Sequence, residues 1–359
     1  MESVCDCCQG LKEFCPKTAS STHFMKRLLI LLLASAIMLS GCSQVEDKKV
    51  KVVTMSPRDM VEQLKLGEID AFVAWEPFVS EAVVKGYGKI ITTSADIWPN
   101  HPCCVVATAE KDDRAVVTAI VWAHVKATRF INDPENREKV LQYAMEFTGK
   151  SKEVVEEALT RIKFIEYPDE GEFVKYYENL KKGGYLKKDV GELGYKSEDE
   201  FLRDFLYRDV YDYVVSKLAE NESWIPEKVN RSVRMGYLTA DLHQLAFYVA
   251  MKEGYYDQVG LKVEAKEFAN GVVEMEGFKN GEIDAGYLGG APATLKRVND
   301  DVRISIIAGA NSEGSAIVAR SASSIEELAG KKVAIPGFGT VQDFLLRMAA
   351  EKAGLEITT

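Results

Sequence analysis

The sequence predicts an α/β protein made of two structurally equivalent units, with apolar strands in parallel sheets flanked by helices. Three observations carry that expectation. The phrase GEIDA occurs twice, at 67–71 and 281–285, each time after an apolar helix-like run and before a second apolar strand. β-branched strands alternate with runs whose apolar residues recur at helical spacing, the pattern of parallel strands covered by helices. A strand, loop and helix precede the second GEIDA copy at 233–261, but only SQVEDKKVK precedes the first. The missing piece stands at the far end, in KKVAIPGFGTVQDFLLRMAAEKAGLEITT (331–359). One βαβαβ unit is therefore continuous at 233–288, and its twin is split between the two ends of the sequence.

Taken in order, MKRLLILLLASAIMLSGC (25–42) begins with Lys26 and Arg27 and continues with an apolar stretch at 28–39. That stretch is too short to span a bilayer and fits a signal-peptide core. It ends in LSGC, which resembles a lipoprotein signal, so Cys42 is expected to carry lipid and begin the mature chain. Residues 1–24 are unassigned. Their cysteines (Cys5, Cys7, Cys8, Cys15) lack zinc-site spacing, and a start at Met25 is the simpler reading. A polar tether spans 43–50, and strands follow at 51–55, 71–75, 89–93 and 103–108. Cys103 and Cys104 are neighbours on the last of these. Side chains alternate along a strand, so a disulfide between them would be strained, and they read as core residues.

Helical runs then extend to residue 219, broken at Asn132-Asp133-Pro134, Gly149-Lys150-Ser151 and Pro168-Asp169. ENESWIPEKVNRS (220–232) reads as a linker into the continuous unit. Further strands are expected at 302–311 and 314–320, and a short capped helix at 323–330. The net charge of −10, with no basic stripe, argues against a nucleic-acid partner and favours a small molecule or a protein.

GYYDQVGLKVE, NGEIDAGYLGGAPA, IEELAGKKVAIPGFGT, GEIDAFVAWEPF and YGKIITTSADIWPNHPCCVV together resemble the solute-binding components of ABC importers, nearest the nitrate/sulfonate/taurine branch. The resemblance covers about 48 to 359. It implies a two-lobed type II periplasmic-binding-protein fold, a small anionic or zwitterionic solute, an ABC permease as membrane partner, and a lipid-anchored place outside the cytoplasmic membrane. It implies no cofactor, no metal and no catalysis. The order departs from the family: the block 231–359 ordinarily precedes the block 50–222, so the chain reads as a circular permutant. Lobe 2 is then expected at 51–112 and 313–359, and lobe 1 at 113–312. Strand 332–335 should pair with 51–55, within one chain or by a lobe exchanged between two. Enzymes of menaquinone or pyrimidine-precursor synthesis resemble the same fold. The pyrimidine synthase's Cys-rich iron-binding motif is absent here, and no nucleophile–base–orienter set shows in the sequence. A lipid-anchored sensor is a third reading.

In open α/β sheets, ligands lie beyond the carboxyl ends of strands, where loops enter helix N-termini. The continuous unit offers Thr239, Asp241 and His243, then Gly289, Gly290 and Ala291. The split unit offers Gly339, Thr340 and Gln342, with Gly337 before them, then Trp75 and Glu76. Helix N-termini favour an anion there, and Trp75 could wall an organic group. Each has a plain alternative: Gly337 and Gly339 can make a tight turn, Asp241 can cap a helix, and Trp75 can be core.

Overall fold

The computed structural model describes residues 48–359 except 110 and 112. The expected signal at 25–42, Cys42 and most of the tether therefore lie outside the described residues. In chain order the elements are β1 (Lys49–Thr54), α1 (Pro57–Leu66), β2 (Ala71–Trp75), α2 (Phe78–Val84), β3 (Lys89–Thr93), α3 (Ser94–Ile97) and β4 (Pro102–Thr108). The helical stretch contains α4 (Arg114–Asn132), α5 (Arg137–Thr148), α6 (Lys152–Leu159), β5 (Ile162–Phe164), α7 (Glu170–Lys182), α8 (Glu198–Phe205) and α9 (Asp209–Glu220). Then come β6 (Arg231–Leu238), α10 (Leu245–Lys252), α11 (Tyr255–Gln258), β7 (Leu261–Phe268), α12 (Gly271–Lys279), β8 (Ala285–Gly289) and α13 (Gly290–Asn299). The chain closes with β9 (Ser305–Glu313), β10 (Ser315–Ala319), β11 (Lys332–Ile335), α14 (Val341–Lys352) and β12 (Glu356–Thr358). Among the described residues no helix is long and apolar enough to cross a membrane.

The strands form two six-stranded sheets, ordered β12-β1-β11-β2-β10-β3 and β5-β9-β4-β8-β6-β7. Both are mixed rather than wholly parallel. β10 runs antiparallel to β2 and β3, and β4 runs antiparallel to β8 and β9. These two strands enter their sheets from the other one, β10 after β9 and β4 after β3, and so arrive in the opposite sense. The sequence grouped 102–108 with 51–93, but β4 pairs with β8 and β9 in the second sheet.

The repeat has a structural counterpart. β1-β11-β2-β10 and β7-β6-β8-β4 have the same order and the same relative directions. Each copy's helix has a polar cap eleven residues before its GEIDA glycine. Ser56 accepts from Asp59 N, and Asn270 accepts from Val272 N and Val273 N. Gly67 and Gly281 then adopt φ of 78° and 66°, left-handed values that stop the helix and turn the chain into the next strand. Met60, Val61 and Leu64 of α1 are buried, as are Met275 and Phe278 of α12.

β11 lies parallel to β1, with Lys51 opposite Lys332 and Thr54 opposite Ile335. β12 lies parallel on the other side of β1, with Val50 opposite Ile357. The C-terminal strand thus runs beside β1 rather than in line with it. Three details differ from expectation. Arg161 leaves α6 and Ile162–Phe164 form an edge strand on β9. The run at 197–219 breaks at 206–208, where Tyr207 N donates to Ile306 O and draws the chain onto β9. The turn at 323–330 holds only a single 3₁₀ turn at Glu326–Leu328, with no side-chain cap.

Candidate functional site

Two segments carry the chain between the sheets: 94–101, from β3 to β4, and Gly314, from β9 to β10. A small cavity of about 20 Å³ lies at this seam, roughly the room one water needs. Trp75, Thr340 and Gln342 line it from the first sheet's side. Asp241, His243 and Gly289 line it from the second, with Cys103 and Cys104 among the remaining wall residues. Six of the eleven residues chosen from sequence therefore meet at one place. A larger cavity, about 410 Å³, lies elsewhere against β4 and β9. Of its three cations, Lys111 and Arg297 are paired with Asp204 and Asp301, and Arg303 is the third.

Three helices begin at the pocket. Gly271 opens α12, Gly289 precedes α13, and Thr340 precedes α14, so three positive dipole ends converge on it. Their caps differ in what they leave free. Thr340 Oγ1 donates to Gly337 O at 2.7 Å and accepts from Asp343 N, while Gly339 N donates to Asp343 Oδ2. The Gly337–Thr340 loop therefore spends these donors on itself, as the tight-turn alternative holds. Gly289 supplies no side-chain cap to α13.

The other candidates serve the walls. Glu76 is fully buried, with its carboxylate held by Arg161 Nε at 2.7 Å and Ser80 N at 3.0 Å. Gly290 and Ala291 are buried in the first turn of α13, and Thr239 Oγ1 donates to Phe268 O. Trp75 is only 3% exposed, and its indole N–H has no partner among the described residues. Buried donors are almost always satisfied, and an orphan costs about 1–3 kcal/mol. Trp75 is one of the residues that line the pocket.

The floor holds Cys103 and Cys104, which were read from sequence as core residues and are buried in the hydrophobic core. Cys103 and Cys104 are buried and free, yet both thiols approach one nitrogen, His243 Nδ1, at 3.5 and 4.0 Å. The cause is a bulge. Pro102 pairs with Ser312 and Cys104 with Asn311, leaving Cys103 as an extra residue that breaks the alternation of faces. Asp241 caps the turn by accepting from His243 N, and its Oδ2 accepts from the Cys104 thiol at 3.8 Å. His243 Nε2 lies 2.7 Å from Gly314 O, and a carbonyl only accepts, so that nitrogen carries a proton. Gly314 has φ of 81°, and a Cβ there would stand 2.3 Å from His243 Nε2, so the crossing requires glycine.

These groups perturb one another. The hydrogen bond from Cys104 lowers the Cys103 thiol well below its ordinary value, against burial and with help from His243 and His101. The same contact and burial raise Cys104. Burial would lower His243, but Cys103 and Asp241 outweigh it and raise the imidazole to about 9. Burial pushes Asp241 up to about 7, against the pull of His243. Sequence reading also missed Gly271, although it occupies the same strand-to-helix position as the loops that were chosen. Arg161 gave no such signal, because it lies just past a helix end, 85 residues after Glu76.

Two mixed α/β sheets are joined by two crossings, with a pocket at their seam. The chain belongs to the NMT1-like family, whose model matches residues 22–145 and 227–359. Among curated proteins it is similar to the nitrate import ATP-binding protein NrtC of Synechococcus elongatus, 34% identical over 31% of this chain and 17% of that protein. It is also similar to a putative binding protein of Brucella abortus, 29% identical over 36% of this chain and 40% of that one. The bicarbonate transport ATP-binding protein CmpC of Synechocystis is 33% identical over 26% of this chain and 14% of its own length. The chain thus spans well under half the length of these relatives. Among solved structures, NikA from Brucella suis aligns at a TM-score of 0.30 and 12% identity, covering 74% of this chain and 55% of NikA.

Proposed function

We propose that the chain is the extracytoplasmic solute-binding component of an ABC importer and that its solute, a small oxyanion or zwitterion of the nitrate, bicarbonate, taurine or sulfonate class, binds at the seam. The observation that carries this reading is the orphan Trp75 indole N–H in a pocket where three helix N-termini converge. A negatively charged oxygen would satisfy the donor and meet the three dipoles at once. The cavity is too small for such a solute as it stands. Its walls belong to different sheets, so a hinge at 94–101 and Gly314 would open and close it. The family and the transport proteins it resembles support delivery to a membrane permease. A lipid on Cys42 would hold the chain at the outer face of the membrane. The strand pairing supports a circular permutation that leaves two lobes, one split between the chain's ends.

The thiol–imidazole–carboxylate group at the floor favours a second reading, an enzyme on the same fold. It is the weaker one. Asp241 Oδ1 and the Cys103 thiol both face His243 Nδ1 at 3.5 Å, whereas an orienting acid would hold the other nitrogen, which Gly314 O occupies.

A thermal-shift screen with nitrate, bicarbonate, taurine, alkanesulfonates and thiamine precursors tests the proposal. One of them should raise the melting temperature saturably. Trp75→Phe, which keeps the ring and removes the N–H, should weaken that solute roughly 10- to 150-fold, the worth of a hydrogen bond to a charged acceptor. Unchanged affinity in Trp75→Phe would misplace the site.

A further inference from the structure

We propose that Cys103, Cys104 and His243 form a binding site for one thiophilic metal ion of the Zn²⁺ class at the floor of the seam. This inference does not depend on the importer reading. The two Sγ atoms and one imidazole nitrogen all lie within 4.8 Å of one another, near the spacing a single tetrahedral ion imposes with bonds of about 2.0–2.3 Å. The bulge at Cys103 brings this about, since regular alternation would send the two thiols to opposite faces.

The imidazole is already set up as a ligand. Its Nε2–H is fixed on Gly314 O at 2.7 Å, so Nδ1, which faces both sulfurs, is the nitrogen that would bind the ion once its proton leaves. Holding the far N–H on a backbone carbonyl is how metal-bound histidines are usually oriented. Two further groups stand ready for a fourth position. Asp241 Oδ2 is 3.8 Å from Cys104 Sγ. His101, two residues before Cys103, bonds Trp98 O through Nδ1 at 2.9 Å, and its buried Nε2 has no partner among the described residues. The adjoining cavity of about 20 Å³ gives room for the ion or a bound water. Two thiolates with imidazole select Zn²⁺ or Cu⁺ over hard ions such as Mg²⁺. Binding would release the thiol protons still bound and the His243 Nδ1 proton to solvent.

The full chain carries seven cysteines, so the test replaces Cys5, Cys7, Cys8, Cys15 and Cys42 by Ser and leaves only Cys103 and Cys104. Co²⁺ added to the reduced, metal-free protein serves as the visible probe. The expected result is one saturable equivalent with near-ultraviolet thiolate-to-cobalt charge transfer, displaced by Zn²⁺. Adding Cys103→Ser and Cys104→Ser should abolish that absorption and weaken uptake at least 100-fold, with the far-ultraviolet circular dichroism retained. His243→Gln should keep the sulfur bands and weaken uptake at least 10-fold, which reads the site even if the cysteine variant fails to fold. No charge-transfer absorption in the two-cysteine protein would overturn the proposal, as would uptake unchanged by His243→Gln. Neither result bears on anion binding at Trp75.

Discussion

The Asp70 carboxylate accepts a hydrogen bond from Lys332 N at 2.9 Å across 262 residues of sequence. Asp284, the same residue of the second GEIDA copy, accepts from Arg234 N at 2.8 Å. Each aspartate also donates its own N–H, at 2.9 Å, to the carbonyl of the residue it holds. In both copies, then, the carboxylate of the phrase fastens a neighbouring strand, β11 in one sheet and β6 in the other. A chain reordered so that 231–359 precedes residue 48, with the old join at 220–230 removed, should fold and melt within a few degrees of the original. Asp70→Ala should cost about 1 kcal/mol in either order, read by urea unfolding. A reordered chain that fails to fold would count against the permutation.

Arg161 reaches from the end of α6 to the fully buried Glu76 beside the crossing at Gly314, whose carbonyl also accepts from Glu76 N. Arg161→Met should cost about 3–5 kcal/mol, because it leaves a buried carboxylate without its cation. Adding Glu76→Gln should recover much of that loss. A double variant as unstable as the sum of the two singles would mean the pair is not coupled.

Much of this was legible before any coordinates. The strands of both copies, the glycines that stop α1 and α12, and the pairing of 332–335 with 51–54 follow from local pattern and repetition. Trp75, Asp241 and His243 followed from the rule that ligands gather at the carboxyl ends of strands. What escaped depends on partners far away in sequence. The Cys103 bulge is a mismatch of register with Ser312 and Asn311, and nothing in HPCCVV records it. The mixed sense of the sheets comes from where β4 and β10 cross over. The spent hydroxyl of Thr340 was ambiguous, since an N-cap and a ligand donor look alike in sequence.

Glu274 is buried at 0% exposure against Gly236 and Gly286, and neither carboxylate oxygen has a partner among the described residues. Burial, with Asp241 adding to it, raises the carboxyl well above its ordinary value of 4.5. The folded state thus binds this proton more tightly than the unfolded chain does. The associated stability is fully present below about pH 4.5 and is lost as pH rises toward the folded pKa, at a limit of about 1.4 kcal/mol per pH unit. Glu274→Gln escapes that loss. Its stability relative to the native chain should grow from pH 5 to pH 8 in urea titrations, and a difference independent of pH would show that the carboxyl is not held neutral.

Trp75 is the centre of the proposed site, and the indole N–H resonances of ¹⁵N-labelled protein test its role most directly. The chain has four tryptophans, and two indoles are already engaged, Trp98 with Glu172 Oε2 at 2.8 Å and Trp122 with Trp224 O at 2.9 Å. During titration with the solute found by thermal shift, the resonance absent from Trp75→Phe should move downfield saturably, with the same midpoint as calorimetry. The Trp122 signal, away from the proposed hinge, should shift far less. Saturable binding by calorimetry with the Trp75 resonance unmoved would contradict the account.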